Sequence, residues 1–241
     1  MVKVAARNKM RAMMSESQDD APLFLERAAD QSLIGRLGAS GQVAGVLRAR
    51  IVRGYFPTGA RLSEEELRKE LGVSRNTLRE AFRLLAQERL LVHEFSRGVF
   101  LRTLSGADVL EIFRARRLVE GAVLRSSGPC GNNALEVAIR QGERSVACGS
   151  WRDCAAADIR FHQTLVDAAA SQRLTDMVRS VLTELHLALN ALDDLGDVFR
   201  RQLTYNKGIW RFLVGGDRRS ALELLEVSLD EYASDLVELI G

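Results

Sequence analysis

The stretch RLSEEELRKELGVSRNTLREAFRLLAQERLL, residues 61–91, constrains the fold more than any other. Ser63 and Glu66 form an S-x-x-E capping box, and Leu62 and Leu67 are spaced as its hydrophobic staple. Gly72 stands where a helix ends in the left-handed conformation. Two residues later Ser74 can cap a further helix, with Val73 and Leu78 as a second staple. Leu78, Phe82 and Leu85 recur at i, i+4 and i+7 and define a buried stripe. The pattern predicts one helix over roughly 63–71 and another over roughly 75–87, joined by Gly-Val-Ser. A short helix, a tight turn containing glycine and a second helix with a basic start make a helix-turn-helix.

The flanks fit that reading. Upstream, QVAGVLRARIVRGYF places Val43, Val46, Leu47 and Ile51 on one helical face, and Gly54 with Pro57-Thr58-Gly59 closes it with a turn. Downstream, LLVHEF and GVFLRTL run apolar on either side of Ser96-Arg97-Gly98, which predicts a two-stranded hairpin. A hairpin directly after the second helix is a wing.

Charge is distributed unevenly. Net charge is only +2 over 241 residues, yet residues 41–104 carry 12 Lys+Arg against 7 acids, and residues 105–241 carry 16 against 20. A basic module joined to an acidic one points to two domains, the first facing a polyanion. From Ser105, a plausible N-cap with Asp108 at N3, helical periods run to the end. Breaks near Ser127–Asn133, Gly149-Ser150, Ser171 and Gly215-Gly216 divide this half into six or so helices, predicting an antiparallel all-α bundle. The expected fold class is mostly α: a winged helix-turn-helix over 41–103 joined to an all-α bundle over 105–241. Residues 1–40 form an N-terminal extension, with a disordered start and a short helix suggested over 22–37. Cys130, Cys148 and Cys154 form no CxxC pair, and no apolar run reaches membrane-spanning length. The expectation is a reduced, soluble, cytoplasmic protein with no membrane association.

Arg75 and Arg79 lie one turn apart, off the buried stripe, with Asn76 beside them and Ser74 and Thr77 in the same first turn. Two arginines on a helix are most often a solvated face. Here they open the second helix of a capped pair in the basic section of the chain. A helix N-terminus suits a phosphate, and an arginine fork matches the guanine edge in the major groove. Arg97 and Gly98 at the wing tip are placed to meet an adjacent phosphate or the minor groove.

The stretch PTGARLSEEELRKELGVSRNTLREAFRLLAQERLL followed by RGVFL resembles the winged helix-turn-helix of GntR-family transcriptional regulators. In that family the residues matching Ser74, Arg75, Asn76, Thr77, Arg79, Arg97 and Gly98 contact operator DNA. A small residue, often glycine, usually precedes the wing, whereas this chain has Arg89. DVLEIFRARRLVEGAVLRSSG, WRDCAAADIRFHQTLVDAAASQRL and NKGIWRFLVGGDRRSALELLEVSLDEY are similar to the FCD ligand-binding domain of the FadR subfamily. The resemblance implies a homodimeric, ligand-responsive regulator, in the family's common mode a repressor, bound to a pseudo-palindromic double-stranded operator.

The resemblance also implies a pocket. An Asp and three His commonly hold a divalent metal inside the bundle, beside the effector. They fall at Asp158, His162, Asn206 and Ser228, so two of four ligands are replaced. Asp158, His162 and Asn206 are the candidates for any metal that binds, and no cofactor is expected. Asp158 and His162 share a stripe with Phe161 and Leu165; Asn206 shares one with Ile209, Trp210 and Leu213. Polar groups on apolar faces must find partners. Either they bond to one another, with Ser228 bonding back to its own helix, or they line a pocket for a small organic effector. Arg116 resembles the family's pocket arginine and could take an effector carboxylate, or it pairs with Glu120 at i+4. His186, on another helix, has no assigned place. An enzyme built on Asp158 and His162 would lack a nucleophile motif, a phosphate loop and a complete metal set. A DNA-binding protein whose C-terminal domain only dimerises is the remaining alternative.

Overall fold

A computed structural model of the chain describes residues 38–126, 133–192 and 194–241. The expected tail, the helix suggested over 22–37 and Cys130 lie outside them. The first helix, α1 (Ala39–Val52), buries Val43, Val46, Leu47 and Ile51. A two-residue strand, β1 (Arg61–Leu62), leads into α2 (Glu64–Leu71). Ser63 Oγ accepts the Glu66 N–H at 3.3 Å, and Leu62 and Leu67 of the staple are both buried. Gly72 is left-handed at φ 67° and ends α2. Ser74 then caps α3 (Arg75–Gln87), accepting the Thr77 N–H at 3.1 Å. Both helices lie where the capping pattern puts them, with Leu78, Phe82 and Leu85 fully buried.

The wing is β2 (Leu91–Glu94) and β3 (Gly98–Leu101), and β1 adds to its other edge, giving the antiparallel order β1-β3-β2. β1 was not foreseen; two residues between a turn and a capping box leave no periodic signal. Arg61 pairs with Phe100, which sets its side chain against the wing glycine. Arg89, in the place where a glycine is usual, adopts φ 59° and turns the chain from α3 into β2.

The second half is α4 (Gly106–Ser126), α5 (Asn133–Cys148), α6 (Trp151–Asp167), α7 (Gln172–Leu189), α8 (Gly196–Val214) and α9 (Arg218–Ile240). Ser105 and Asp108 cap α4 reciprocally: Ser105 N–H donates to Asp108 at 2.9 Å and Asp108 N–H to Ser105 Oγ at 3.3 Å. α9 packs along α4, α5 along α6, and α8 between α9 and the α5–α6 pair. Six helices agree with the expected number. The break between Leu189 and Gly196 was not among those expected, because no Gly-Gly or Ser-rich signal marks it. Gly196 is needed there: a Cβ would come within 2.9 Å of the Trp151 ring.

α7 also touches the first half. Asn190, at its C-terminus, donates from Nδ2 to the carbonyls of Ile51 at 3.0 Å and Val52 at 3.2 Å, the free end of α1. Arg102, just past the wing, pairs with Glu184 of α7 and Asp108 of α4.

Candidate functional site

Two polar constellations stand out, one on the surface of the first half and one inside the second. On the surface, Arg75 and Arg79 project from the start of α3 with 72% and 62% of their side chains exposed. Glu64 at the start of α2 lies 3.5 Å from each, between the two guanidinium groups. Ser74 Oγ and Thr77 Oγ1 are 2.8 Å apart, so the cap also fixes the threonine. Asn76 is exposed beside them. Arg97 is held by Glu94 and lies 5.5 Å over the Phe100 ring. Gly98 has φ 115°, and a Cβ there would sit 3.1 Å from Arg61 Nε. Two residues of this face were missed from sequence. Arg61 depended on the unforeseen strand, and Phe95 at the wing tip, 97% exposed, carried no signal that set it apart from the other apolar residues of the hairpin.

The inner constellation gathers side chains from α4, α6, α8 and α9. Arg116 is fully buried and donates from Nε to Glu120 Oε1 at 2.8 Å. Glu120 Oε2 meets His162 Nδ1 at 2.6 Å, and His162 Nε2 faces Asp158 Oδ1 at 3.6 Å. Asn206 Nδ2 donates to the same Oδ1 at 2.8 Å. Ser228 donates to Gln202 Oε1 at 2.8 Å rather than back to its own helix, which corrects that expectation. Gln202 sits one turn before Asn206 on α8, so its amide reaches Ser228 across the helix pair. Arg116, Asp158, His162 and Asn206 are therefore brought together, and Ser228 joins at one remove. The pairing of Arg116 with Glu120 and the gathering of the other polar groups are both present.

Charge in this cluster balances internally. Burial alone would raise Glu120, but Arg116 and His162 hold its carboxyl below the usual value. Asp158 is likewise held low against burial, by His162, Arg116 and Asn206. Burial opposes the His162 imidazolium, and Glu120 and Asp158 together outweigh it, raising its pKa. His186 on α7 is buried too, and desolvation pushes it down to about 4 despite the attraction of Asp158. Burial pushes the Tyr232 phenol well up.

Hydrogen bonding does not balance. Arg116 Nη1 and Nη2, Asp158 Oδ2, His162 Nε2, Gln202 Nε2, Asn206 Oδ1 and Tyr232 OH have no partner. Each residue is at most 5% exposed. Unmet buried groups cost about 1–3 kcal/mol apiece. Glu120 was foreseen only as the helix neighbour of Arg116, and Gln202 and Tyr232 not at all. The signal was present: they stand at i−4 from Asn206 and i+4 from Ser228. Beside the cluster, Ala138, Ile139, Phe161, Phe199, Asp158 and Asn206 enclose a void of about 10 Å³. That is room for about one water molecule.

These residues do not fit the metal that the resemblance implies. Arg116 brings a fixed positive charge into the field of Asp158 and His162. His162 Nδ1 is taken up by Glu120, and Ser228 is turned to Gln202. Among the described residues no three His, Cys, Asp or Glu side chains are grouped to hold an ion.

A capped helix-turn-helix with a three-stranded wing, ahead of a six-helix bundle with a buried polar centre, defines a two-part transcriptional regulator. Residues 39–101 match the bacterial regulatory proteins of the gntR family, and residues 111–231 match the FCD domain. A solved GntR transcriptional regulator structure from Rhodococcus sp. RHA1 is 34% identical, covering 84% of this chain and 99% of that one at a TM-score of 0.79. The HTH-type regulator YdhC of Bacillus subtilis is 29% identical over 145 residues, or 58% of this chain and 65% of that protein. The gluconate operon repressor of Bacillus licheniformis is 28% identical over 137 residues, covering 55% and 56%. The matched part of the chain thus spans little more than half to two thirds of those two relatives. The chain belongs to the GntR family of transcriptional regulators, with an FCD domain in its second half. No described helix is long and apolar enough to cross a membrane.

Proposed function

We propose that the chain acts in the cytoplasm as a homodimer, repressing transcription from a pseudo-palindromic operator, and that a small-molecule effector in the bundle sets its operator affinity. The DNA-reading unit is residues 41–103, and the unit for effector binding and dimerisation is 105–241. What supports this most is the pair Arg75 and Arg79, exposed on one edge of a capped helix start. Asn76 and Thr77 flank them for base or phosphate contact, Ser74 for phosphate, and Arg97 with Gly98 serves the neighbouring groove. One recognition helix reads few base pairs, so two-fold pairing supplies specificity. Repression follows the gluconate operon relative, which is named for it.

The effector meets Arg116, Asp158, His162 and Asn206, buried groups whose hydrogen bonds are incomplete, and Ser228, which holds Gln202 beside them. α7 links that cluster to the DNA-reading half: His186 faces it, while Glu184 and Asn190 hold Arg102 and the end of α1. Effector binding that shifts α7 would move the winged unit with it. The experiment is selection of operator sequences from random DNA with the full chain, then titration of Arg75→Ala and Arg79→Ala. Each variant is expected to lose about 10- to 100-fold in preference for the selected sequence. Equal preference in variant and parent would sink the reading.

A further inference from the structure

The unsatisfied atoms of the inner cluster are of two opposite kinds, and this is informative about the ligand. Arg116 Nη1 and Nη2 and Gln202 Nε2 are donors with nothing to donate to; Asp158 Oδ2 and Asn206 Oδ1 are acceptors with nothing to accept. The Asn206 orientation follows from chemistry. Its neighbour Asp158 Oδ1 is an acceptor, so the amide must turn NH2 toward it and leave Oδ1 without a partner. His162 Nε2 already leans on Asp158 at 3.6 Å.

A plain carboxylate would satisfy Arg116 and Gln202. It would leave Asp158 Oδ2 and Asn206 Oδ1 unmet, and would bring a third carboxylate to Glu120 and Asp158, which Arg116 and His162 already face as their basic partners. A metal cation would serve the acceptors and leave the arginine donors bare, beside a charge that repels it. A molecule carrying both an ammonium and a carboxylate meets both sets and adds no net charge. Ala138, Ile139, Phe161 and Phe199, which wall the cavity beside Asp158, suit an apolar side chain on that molecule.

We propose that the effector is a small zwitterionic amino acid with an apolar side chain. Its carboxylate binds Arg116 and Gln202, and its ammonium group binds Asp158 and Asn206. This rests on reading the cluster as the effector site. Because the void now holds about 10 Å³, the ligand enters only as α5 draws away from α6 and α8. α5 and α8 meet closely here: a Cβ on Gly142 would stand 3.0 Å from Leu203 Cδ1.

The test is thermal shift followed by calorimetric titration of the full chain. The probes are the apolar L-amino acids, the carboxylic acids lacking their amino group and the amines lacking their carboxylate. At least one amino acid is expected to bind, with both of its truncated analogues at least about 100-fold weaker, because each leaves buried groups unmet. Asp158→Asn, an isosteric change, is expected to weaken the amino acid by a similar factor. If an acid without the amino group binds as tightly, the zwitterion is overturned and an anionic effector at the same site stands. If no amino acid and no carboxylate binds while the selected operator is still recognised, both the zwitterion and the effector site fall. Recognition of DNA by α3 is then untouched.

Discussion

The two polar constellations of this chain are built on opposite terms. At the start of α3, Ser74, Arg75, Thr77 and Arg79 lie within six consecutive residues, stand in water and owe their placement to one cap and one buried stripe. In the bundle, Arg116, Glu120, Asp158, His162, Gln202, Asn206 and Ser228 come from four helices, are excluded from water and depend on one another for every hydrogen bond they make. The first kind of site can change without disturbing the fold. The second is part of the fold, so its chemistry and its stability cannot be separated. The exposed residues of α3 can change one at a time, but the buried cluster must change several residues together.

Variants can break that contrast, beginning where the effect is largest. Glu120→Leu strands the Arg116 charge in a fully buried position and is expected to lose about 3–5 kcal/mol in chemical denaturation. The double change with Arg116→Met should recover the part of that loss due to the stranded arginine and leave the part due to His162, whose Nδ1 also loses Glu120; no recovery at all would show that the arginine charge is not what Glu120 offsets. Acid is the next probe. His186 is neutral when folded, its pKa down to about 4, and takes up a proton on unfolding near the ordinary value of 6.5. The unfolded chain therefore binds the extra proton between those values, so this stability is complete above pH 6.5 and is lost as pH falls toward 4. The full loss is on the order of 3 kcal/mol. Most of the slope between pH 6.5 and 5 should vanish in His186→Gln, before the buried carboxylates titrate; an unchanged slope would assign it elsewhere.

Arg75→Ala and Arg79→Ala sharpen the comparison from the other side. Their denaturation midpoints should stay within about 0.5 kcal/mol of the parent while DNA preference falls, since exposed positions carry little stability. A large loss of stability in either would mean that α3 needs its arginines to fold. Arg89→Gly is the smallest effect and has the opposite sign. A non-glycine residue at φ 59° is strained, so the change is expected to stabilise by about 0.5–1 kcal/mol, measurable as a raised midpoint.

How much of this was legible follows the same divide. Helices α2 and α3 and the wing could be read because caps, staples and apolar stripes are local, and each signal lies within a few residues of what it decides. β1 could not, because a two-residue strand exists only through its partner β3. Among the inner residues, Asp158 and His162 were visible as a pair one turn apart on an apolar face. Gln202 was not, because its role depends on Ser228 being 26 positions away and across a helix interface. His186 could be seen as buried-face histidine only once α7 was known to run past Asp158. The break between α7 and α8 was missed because no Gly-Gly or Ser-rich stretch marks it, and the need for Gly196 beside Trp151 shows only once the helices are packed.

Glu64, lodged 3.5 Å from both Arg75 and Arg79, has a kinetic consequence. It is a tethered counterion. When the recognition helix meets a phosphate backbone, part of the charge it must shed is this carboxylate and not a salt ion from solution, so fewer ions are released and the grip on arbitrary DNA is loosened. On the proposed function, the arginines are freed only where a base edge offers a better partner than the glutamate. Glu64→Gln should then bind unrelated DNA more tightly and with a steeper salt dependence, and an unchanged slope would show that the carboxylate swings clear of its own accord.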